Sequence, residues 1–170
     1  MVTDTREGIR RADGGALLLK RRPRNGLMDL DSWPRRPRPE TMGPHYACEI
    51  FQLAELRTVR AQLRAWVPAV LEDSDADGAV LDDLLVAVEE LASNGLRHGR
   101  APVRVHAVRM AKGLLLDVSD GHPHRWPEPA VGRDPALGGM GLRMVAHLTV
   151  ERGWTVAGDR KHVWVCVPTG

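Results

Sequence analysis

The sequence predicts a two-layer α+β sandwich, in which helices cover one face of a mostly antiparallel sheet. Three observations support this fold class. Apolar residues follow helical spacing in two consecutive segments, 55–71 and 79–98. Around these helices lie segments with the length and pattern of strands, at 47–53, 102–109, 113–119, 149–157 and 162–167. Short turns join the last four of them in pairs, which predicts antiparallel neighbours.

The two helices are indicated by apolar residues three or four positions apart, which share one face of a helix. In the first helix these residues are Leu56, Val59, Leu63, Val67 and Leu71. In the second they are Leu81, Leu84, Leu85, Val88, Leu91 and Leu96. A polar loop over 73–78 separates the helices, and Gly99 supplies a stop after the second one.

The first three strands surround or follow this helical pair. Residues 47–53 alternate as in a strand with one buried face. Segments 102–109 and 113–119 are predicted to form a hairpin around the turn at 111–113.

The last part of the chain contains a loop, a helix and a second strand pair. Residues 120–138 form a loop rich in proline and glycine, and residues 140–148 follow as a short helix. Segments 149–157 and 162–167 then form the final strands around the turn at 158–160.

Composition divides the chain near residue 45. Residues 1–45 hold ten Lys and Arg against six Asp and Glu, a net charge of +4, whereas the remainder holds fourteen against sixteen, a net charge of −2. The first stretch is rich in Arg, Pro and Gly and has no sustained periodicity, so we expect a disordered basic tail. The folded domain is expected to span residues 46–168.

Bulk properties argue against several function classes. The net charge of +2 is too small to indicate direct nucleic-acid binding. Cys48 and Cys166 lack the spacing of a zinc site. No apolar run approaches the roughly 20 residues that span a membrane, and the N-terminus lacks a signal-peptide core. We therefore expect a cytoplasmic protein with no membrane partner.

A polar face on the second helix carries the first candidate functional residues. Glu90, Asn94 and His98 lie four residues apart, so they share one face. An asparagine oxygen is a hard ligand that suits Mg²⁺, and a carboxylate one turn earlier can act as a general base. Glu89, beside Glu90, leaves the choice of base open. Taken alone, the segment is equally compatible with an exposed polar helix face.

Two further segments carry groups that suit a nucleotide. An apolar strand ends at Asp120, whose carboxylate can accept a hydrogen bond from the exocyclic amino group of adenine; an ordinary Asp-Gly turn is the alternative. Gly139 and Gly141 lead into the short helix. Without side chains, their backbone N–H groups can approach phosphate oxygens at a helix N-terminus. A flexible hinge is the alternative there.

Together and in this order, the three segments resemble the Bergerat ATP-binding fold of the GHKL superfamily, the histidine kinase-like ATPases. Residues 90–99 are similar to the N-box of the anti-sigma regulatory factor branch, which consists of small bacterial serine/threonine kinases. Residues 118–123, 139–142 and 161–164 are similar to the Val-x-Asp-x-Ser-Pro, Gly-x-Gly-Leu and Lys-Thr-Val-Trp motifs of that branch. The resemblance covers residues 46–168.

The resemblance implies a role for each residue of the site. Glu90 matches the catalytic base, and Asn94 matches the magnesium ligand. The loop 121–138 corresponds to the ATP lid. The residues expected to bind the nucleotide are Asn94, His98, Asp120, Gly139, Gly141, Leu142 and His162.

The resemblance also implies a function and partners. Members of the branch bind ATP and Mg²⁺, bind a sigma factor, and phosphorylate a serine of an anti-anti-sigma (STAS-type) protein. They regulate transcription in this way, commonly as homodimers. The alternative is a catalytically silent module that binds ATP or a partner without phosphoryl transfer.

Two histidines depart from the family pattern. His122 replaces a small residue near Asp120. His162 stands where a threonine often supports the adenine-binding aspartate through water, so we expect His162 either to donate a hydrogen bond there or to weaken adenine binding. His122 and His124 also form a His-x-His pair that could bind zinc, but the sequence shows no third ligand.

Overall fold

The computed structural model describes residues 32–71, 77–127 and 141–169, and within them a single sheet packs against helices. The strands are β1 (His45–Ile50), β2 (Val103–Met110), β3 (Gly113–Asp120), β4 (Glu151–Ala157) and β5 (Arg160–Pro168). Their order across the sheet is β1-β2-β3-β5-β4, and every neighbouring pair is antiparallel. The α-helices are α1 (Leu56–Leu71), α2 (Asp77–His98) and α3 (Gly141–Leu148). The predicted α+β sandwich is confirmed.

The helices cover one face of the sheet, and the core lies between the two layers. Alternate side chains of the central strands point towards α1 and α2, because successive side chains of a strand face opposite sides. Burying each aliphatic side chain contributes about 1.5–3 kcal/mol. The strand residues in this core include Val103, Val105, Leu114, Leu116, Val118, Val163, Val165 and Val167.

The first strand ends earlier than its alternating pattern predicts. β1 stops at Ile50, and a 3-10 turn over Leu53–Glu55 leads into α1. The Glu55 carboxylate accepts a hydrogen bond from the backbone N–H of Phe51 at 2.8 Å. Phe51 lies just after β1 and is 62% exposed.

The segment 32–39, here called the N-terminal strap, packs against the domain, which corrects the expectation of a disordered tail for these residues. Trp33 is buried and belongs to the hydrophobic core. The Arg36 N–H donates to the Trp154 carbonyl at 2.9 Å, and the Trp154 N–H donates to the Pro34 carbonyl at 3.1 Å. The strap therefore pairs with the edge strand β4 in a parallel direction. Residues 1–31 of the predicted tail lie outside the described ranges.

Arginines of the strap stack on tryptophans of the sheet. The Arg35 guanidinium lies 5.4 Å from the centre of the Trp154 ring, and that of Arg36 lies 4.9 Å from the Trp164 ring. Gly153 makes room for the second contact, because a Cβ atom there would lie 2.7 Å from Cγ of Arg36. Cation–π attraction of about 0.5–2 kcal/mol per pair helps to hold the strap. Residue composition does not reveal these stacking contacts, because the arginines and the tryptophans lie far apart in the sequence.

None of the helices in the described ranges is both long enough and apolar enough to cross a bilayer.

Candidate nucleotide-binding site

The C-terminal half of α2 places the predicted polar face at the border of the core. Leu84, Val88 and Leu91 are buried against the sheet. Glu90 and Asn94 are half-buried beside this apolar face, and the side chain of His98 is exposed at the helix end. The polar face therefore borders the packed layer rather than lying wholly in solvent.

Glu90 lies against the first residue of α3. A Cβ atom added to Gly141 would overlap the Glu90 carboxylate, so the two residues are in direct contact. Glu89 takes a different direction: its Oε2 lies 3.1 Å from Nη1 of Arg60 on α1. Of the two adjacent glutamates, only Glu90 lies next to the glycine that was predicted to face phosphate. The structure thus favours Glu90 over Glu89 as the candidate base.

Asp120 is buried at the end of β3, beneath the C-terminal turn of α2. A Cβ atom on Gly99 would overlap its carboxylate, and a Cβ atom on Gly95 would lie 3.0 Å from Cγ2 of Val103. Both glycines therefore let the helix approach the strand ends closely. The Asp120 carboxylate accepts a hydrogen bond from the His122 N–H at Oδ1, with a distance of 2.9 Å.

The other oxygen of Asp120 is paired with Lys161. These two residues face each other across β3 and β5, and Nζ of Lys161 lies 3.0 Å from Oδ2 of Asp120. The side chains are only 8% and 4% exposed, respectively. Nζ of Lys161 also donates to the backbone carbonyl of Arg125 at 2.8 Å. A buried ion pair thus occupies the position where adenine contact was predicted.

His162 lies on the opposite face of the sheet from Asp120, so the expected support of Asp120 by His162 is wrong. Its Nδ1 lies 3.0 Å from Oδ2 of Asp117, which also pairs with Arg38 at 3.2 Å. Successive side chains of a strand alternate between faces, so Lys161, one residue earlier, is the β5 residue that reaches Asp120. Sequence reasoning missed Lys161, because the register between β3 and β5 is visible only in the folded sheet.

The fold agrees with a comparison against known protein families. A model of the histidine kinase-like ATPase domain matches residues 52–167. The chain belongs to this family. A comparison with curated protein sequences gives no match. The family match spans α1 to β5 and includes the parts of α2, β3 and α3 that carry the candidate site. Membership supports ATP binding by this domain.

Two of the predicted nucleotide-binding residues of this ATPase domain lie at the start of α3. Gly141 begins the helix. The side chain of Leu142 is buried in the core, so only its backbone is available to a ligand. Gly139 and most of the predicted lid, residues 128–138, lie outside the described residues. The phosphate-side prediction for Gly139 therefore stays a prediction.

The loop that follows Asp120 is tied to the end of α2. The Arg125 guanidinium donates to the His98 carbonyl at 3.3 Å, and the Gly121 N–H donates to the Arg100 carbonyl at 2.9 Å. A cation is favourable at a helix C-terminus because the last carbonyls carry partial negative charge. Desolvation lowers the pKa of His98, and the positive charges of Arg125, Arg97 and Lys161 lower it further.

Proposed function

We propose that this chain is a protein serine/threonine kinase of the anti-sigma regulatory type, which binds ATP and Mg²⁺ and phosphorylates an anti-anti-sigma (STAS-type) partner. The observation that carries the proposal is the contact between Glu90 and Gly141. It brings the candidate base to the start of α3, one helical turn from Asn94. Family membership supplies the ATP-binding domain around these residues.

The proposed chemistry needs few groups, because phosphoryl transfer depends mainly on positioning and charge neutralisation. Glu90 would accept the proton of the partner serine as that oxygen attacks the γ-phosphorus and the bond to the β-phosphate oxygen breaks. Asn94 would hold Mg²⁺ through its amide oxygen. In the described part of the chain, no three His, Cys, Asp or Glu side chains converge as metal ligands. Phosphate and water oxygens would therefore complete the magnesium shell, as is usual for this ion.

The two ends of the polar face of α2, at Glu90 and at His98, approach different parts of the proposed ligand. The close approach of Glu90 to Gly141 leaves no side chain between the acid and the start of α3, where N–H groups favour anions. At the other end of the polar face, Gly99 brings the helix close to Asp120. ATP would extend between these points, with its phosphates near Gly141 and its base near Asp120.

A catalytically silent ATP-binding module is the second candidate. It is favoured by one observation, the buried ion pair between Asp120 and Lys161. This pair engages the carboxylate that adenine would contact, so the base must either share it or compete with the lysine. Weaker ATP binding would suit a partner-binding module better than a kinase.

One experiment separates the two candidates. The full chain is incubated with γ-labelled ATP, Mg²⁺ and an anti-anti-sigma protein that carries the acceptor serine, and label on that protein is measured. We expect label with the natural chain and none with Asn94→Ala, which should also lose magnesium-dependent ATP binding. ATP binding without label would leave the silent module, whereas no ATP binding would overturn both candidates.

The proposed partners require a separate measurement. Light scattering after size-exclusion chromatography would show whether the chain is a homodimer and whether it forms a complex with a sigma factor. A complex that gains in stability with ATP would support the anti-sigma role. A chain that forms neither a homodimer nor a complex with the sigma factor under these conditions would contradict the anti-sigma role.

A further inference from the structure

We propose that acid releases the N-terminal strap from the sheet, because Arg38 at its C-terminal end docks on His106 only while that histidine is neutral. The contacts of Arg38 lie on β2 and β3, on the face of the sheet opposite the helices. The inference goes beyond the proposed function, since it concerns neither the nucleotide nor the partner protein. It gives the strap an attachment that depends on pH.

Arg38 holds the end of the strap through two contacts of a single nitrogen. Its Nη1 lies 3.2 Å from Oδ2 of Asp117 and 3.3 Å from Nδ1 of His106. Asp117 and His106 are register partners on β3 and β2, so one guanidinium group bridges two neighbouring strands. The side chain of Asp117 is only 5% exposed, whereas that of Arg38 is 35% exposed. The arginine can therefore move into water while the carboxylate stays in the sheet.

The contact between Arg38 and His106 requires one protonation state of the histidine. A guanidinium group has donors and no acceptor, so Nδ1 of His106 must accept, and the ring hydrogen then lies on Nε2. A protonated ring carries a hydrogen on both nitrogens. Nδ1 would then direct a donor and a positive charge at the guanidinium group across 3.3 Å. The docked strap is therefore compatible with neutral His106 and is opposed by protonated His106.

Two further histidines border this contact, and their protonation acts in the same direction. On β1, the ring centre of His45 lies 5.4 Å from that of His106, so a charge on His45 adds to the repulsion. On β5, Nδ1 of His162 lies 3.0 Å from Oδ2 of Asp117. A protonated His162 gives that carboxylate a second cation, which makes Arg38 less necessary. Neither histidine therefore compensates for the loss of the contact with Arg38.

The remaining charges near His106 do not cancel the effect of Arg38. Glu49 on β1 and Arg104 on β2 pair with each other at 2.6 Å, so together they add little net charge. Asp117 attracts a proton to His106 and thus opposes the repulsion, but its Oδ2 already contacts Arg38. Desolvation lowers the pKa of His106, and the Arg38 guanidinium lowers it further.

The sign of the pH effect follows from the proton affinity of His106 in the two states of the strap. Departure of Arg38 removes a positive charge from the ring, so the pKa of His106 is higher with the strap released than with it docked. A proton favours the state that binds it more tightly. Release is therefore expected as the pH falls below about 6.5, the ordinary pKa of histidine.

Two backbone hydrogen bonds report on whether the strap is docked. The Arg36 N–H donates to the Trp154 carbonyl at 2.9 Å, and the Trp154 N–H donates to the Pro34 carbonyl at 3.1 Å. Both amides are protected from hydrogen exchange while the strap pairs with β4, and local opening exposes them. Arg36 is only two residues from Arg38, so loss of the Arg38 contacts should increase this opening.

The test measures hydrogen–deuterium exchange of the Arg36 and Trp154 amides in the full chain by NMR, at pH 7.5 and 5.5, after correction for intrinsic exchange rates. In the natural chain we expect about tenfold less protection at pH 5.5, which corresponds to about 1.4 kcal/mol. His106→Gln should lose most of this pH dependence, because its amide oxygen can accept from Arg38 and takes up no proton. His147→Gln, at an exposed position of α3, is the matched control and should behave as the natural chain.

The outcomes decide whether His106 and Arg38 form the pH-dependent attachment. Equal protection at both pH values in the natural chain, or an equal loss in the natural chain and His106→Gln, would overturn the inference. Arg38→Met should show low protection at both pH values, and protection equal to that of the natural chain would also overturn it. Amides within β3 serve as the reference: if they lose protection equally at pH 5.5, acid unfolds the domain and the inference fails. His106→Asn replaces His106→Gln if that variant is unfolded.

Discussion

Glu90 and Gly141 are in direct contact between α2 and α3, and a side chain at residue 141 would displace the Glu90 carboxylate. A Cβ atom at this position would overlap Oε2 and Cδ of Glu90. The candidate base can therefore lie against the start of α3 because residue 141 has no side chain. This relationship permits a direct test of whether the two residues act in one site.

Gly141→Ala should weaken ATP binding and abolish phosphoryl transfer. The added methyl group would overlap the Glu90 carboxylate, so that carboxylate must move away from the start of α3. We expect ATP affinity to fall by at least about tenfold, which corresponds to about 1.4 kcal/mol, as measured by isothermal titration. Gly78→Ala is the control, since a Cβ atom there meets nothing within 4 Å. Equal ATP affinity in both variants would show that Gly141 and Glu90 are not part of the nucleotide site.

The adjacent glutamates give a matched pair of variants. Glu90→Gln should bind ATP and lose labelled transfer to the partner serine, because glutamine cannot accept the proton. Glu89→Gln should retain transfer, since Glu89 pairs with Arg60 on α1. Losing that exposed ion pair should lower the free energy of unfolding by about 0–1 kcal/mol. Transfer is measured with labelled ATP and unfolding with urea; if Glu89→Gln alone abolishes transfer, the base has been assigned to the wrong residue.

The sequence was sufficient to predict the fold and the position of Asp120 at the end of an apolar strand. The helical spacing of α1 and α2 and the paired strands are local patterns, and the structure shows them within a few residues of the predicted bounds. The burial of Asp120 at the end of β3 follows from the same apolar strand. These features depend on residues close together in the sequence, so periodicity alone predicts them.

The wrong placement of His162 beside Asp120 arose because the sequence did not show which face of the sheet each β5 side chain occupies. Moving by one residue along a strand moves a side chain to the other face. The motif resemblance placed His162 beside Asp120, but the register pairs Asp120 with Lys161 and directs His162 to Asp117. Register is a property of two strands together, and the sequence of one strand does not determine it.

The strap was missed for a different reason. Proline and arginine are abundant in residues 32–39, and such composition favours disorder. Trp33 is nevertheless buried, and Arg35 and Arg36 stack on Trp154 and Trp164. These contacts join residues more than 100 positions apart, so the local composition of residues 32–39 does not indicate them.

Trp33→Ala should destabilise the domain even though residue 33 lies outside the family match. Trp33 is only 7% exposed and belongs to the core. Replacing a buried tryptophan by alanine costs about 3–5 kcal/mol, which urea unfolding would detect as a lower midpoint. Phe51→Ala is the control, because Phe51 is 62% exposed, and its effect should stay within about 0.5 kcal/mol. A midpoint for Trp33→Ala equal to that of Phe51→Ala would show that the strap contributes nothing to stability.

His106 lies on the sheet face opposite the helices, and we expect it to make the unfolding free energy of the domain sensitive to acid. Desolvation lowers the pKa of this histidine; Arg38 and His45 lower it further, and Asp117 opposes them. Nδ1 of His106 lies 3.3 Å from Nη1 of Arg38, and its ring centre lies 5.4 Å from that of His45. His162, which contacts the same Asp117 carboxylate, also borders this group. Protonation of His106 is therefore disfavoured in the folded state.

Because the pKa of His106 is lower in the folded than in the unfolded chain, the unfolded chain takes up the proton first as the pH falls. The contribution of His106 to the unfolding free energy is complete above the unfolded value of about 6.5 and decreases as the pH falls through it. Urea unfolding at pH 7.5, 6.5 and 5.5 should therefore show a smaller loss of stability for His106→Gln than for the natural chain. His147→Gln, on the exposed side of α3, should keep the natural pH dependence. An unchanged pH dependence in His106→Gln would show that His106 does not account for the acid sensitivity.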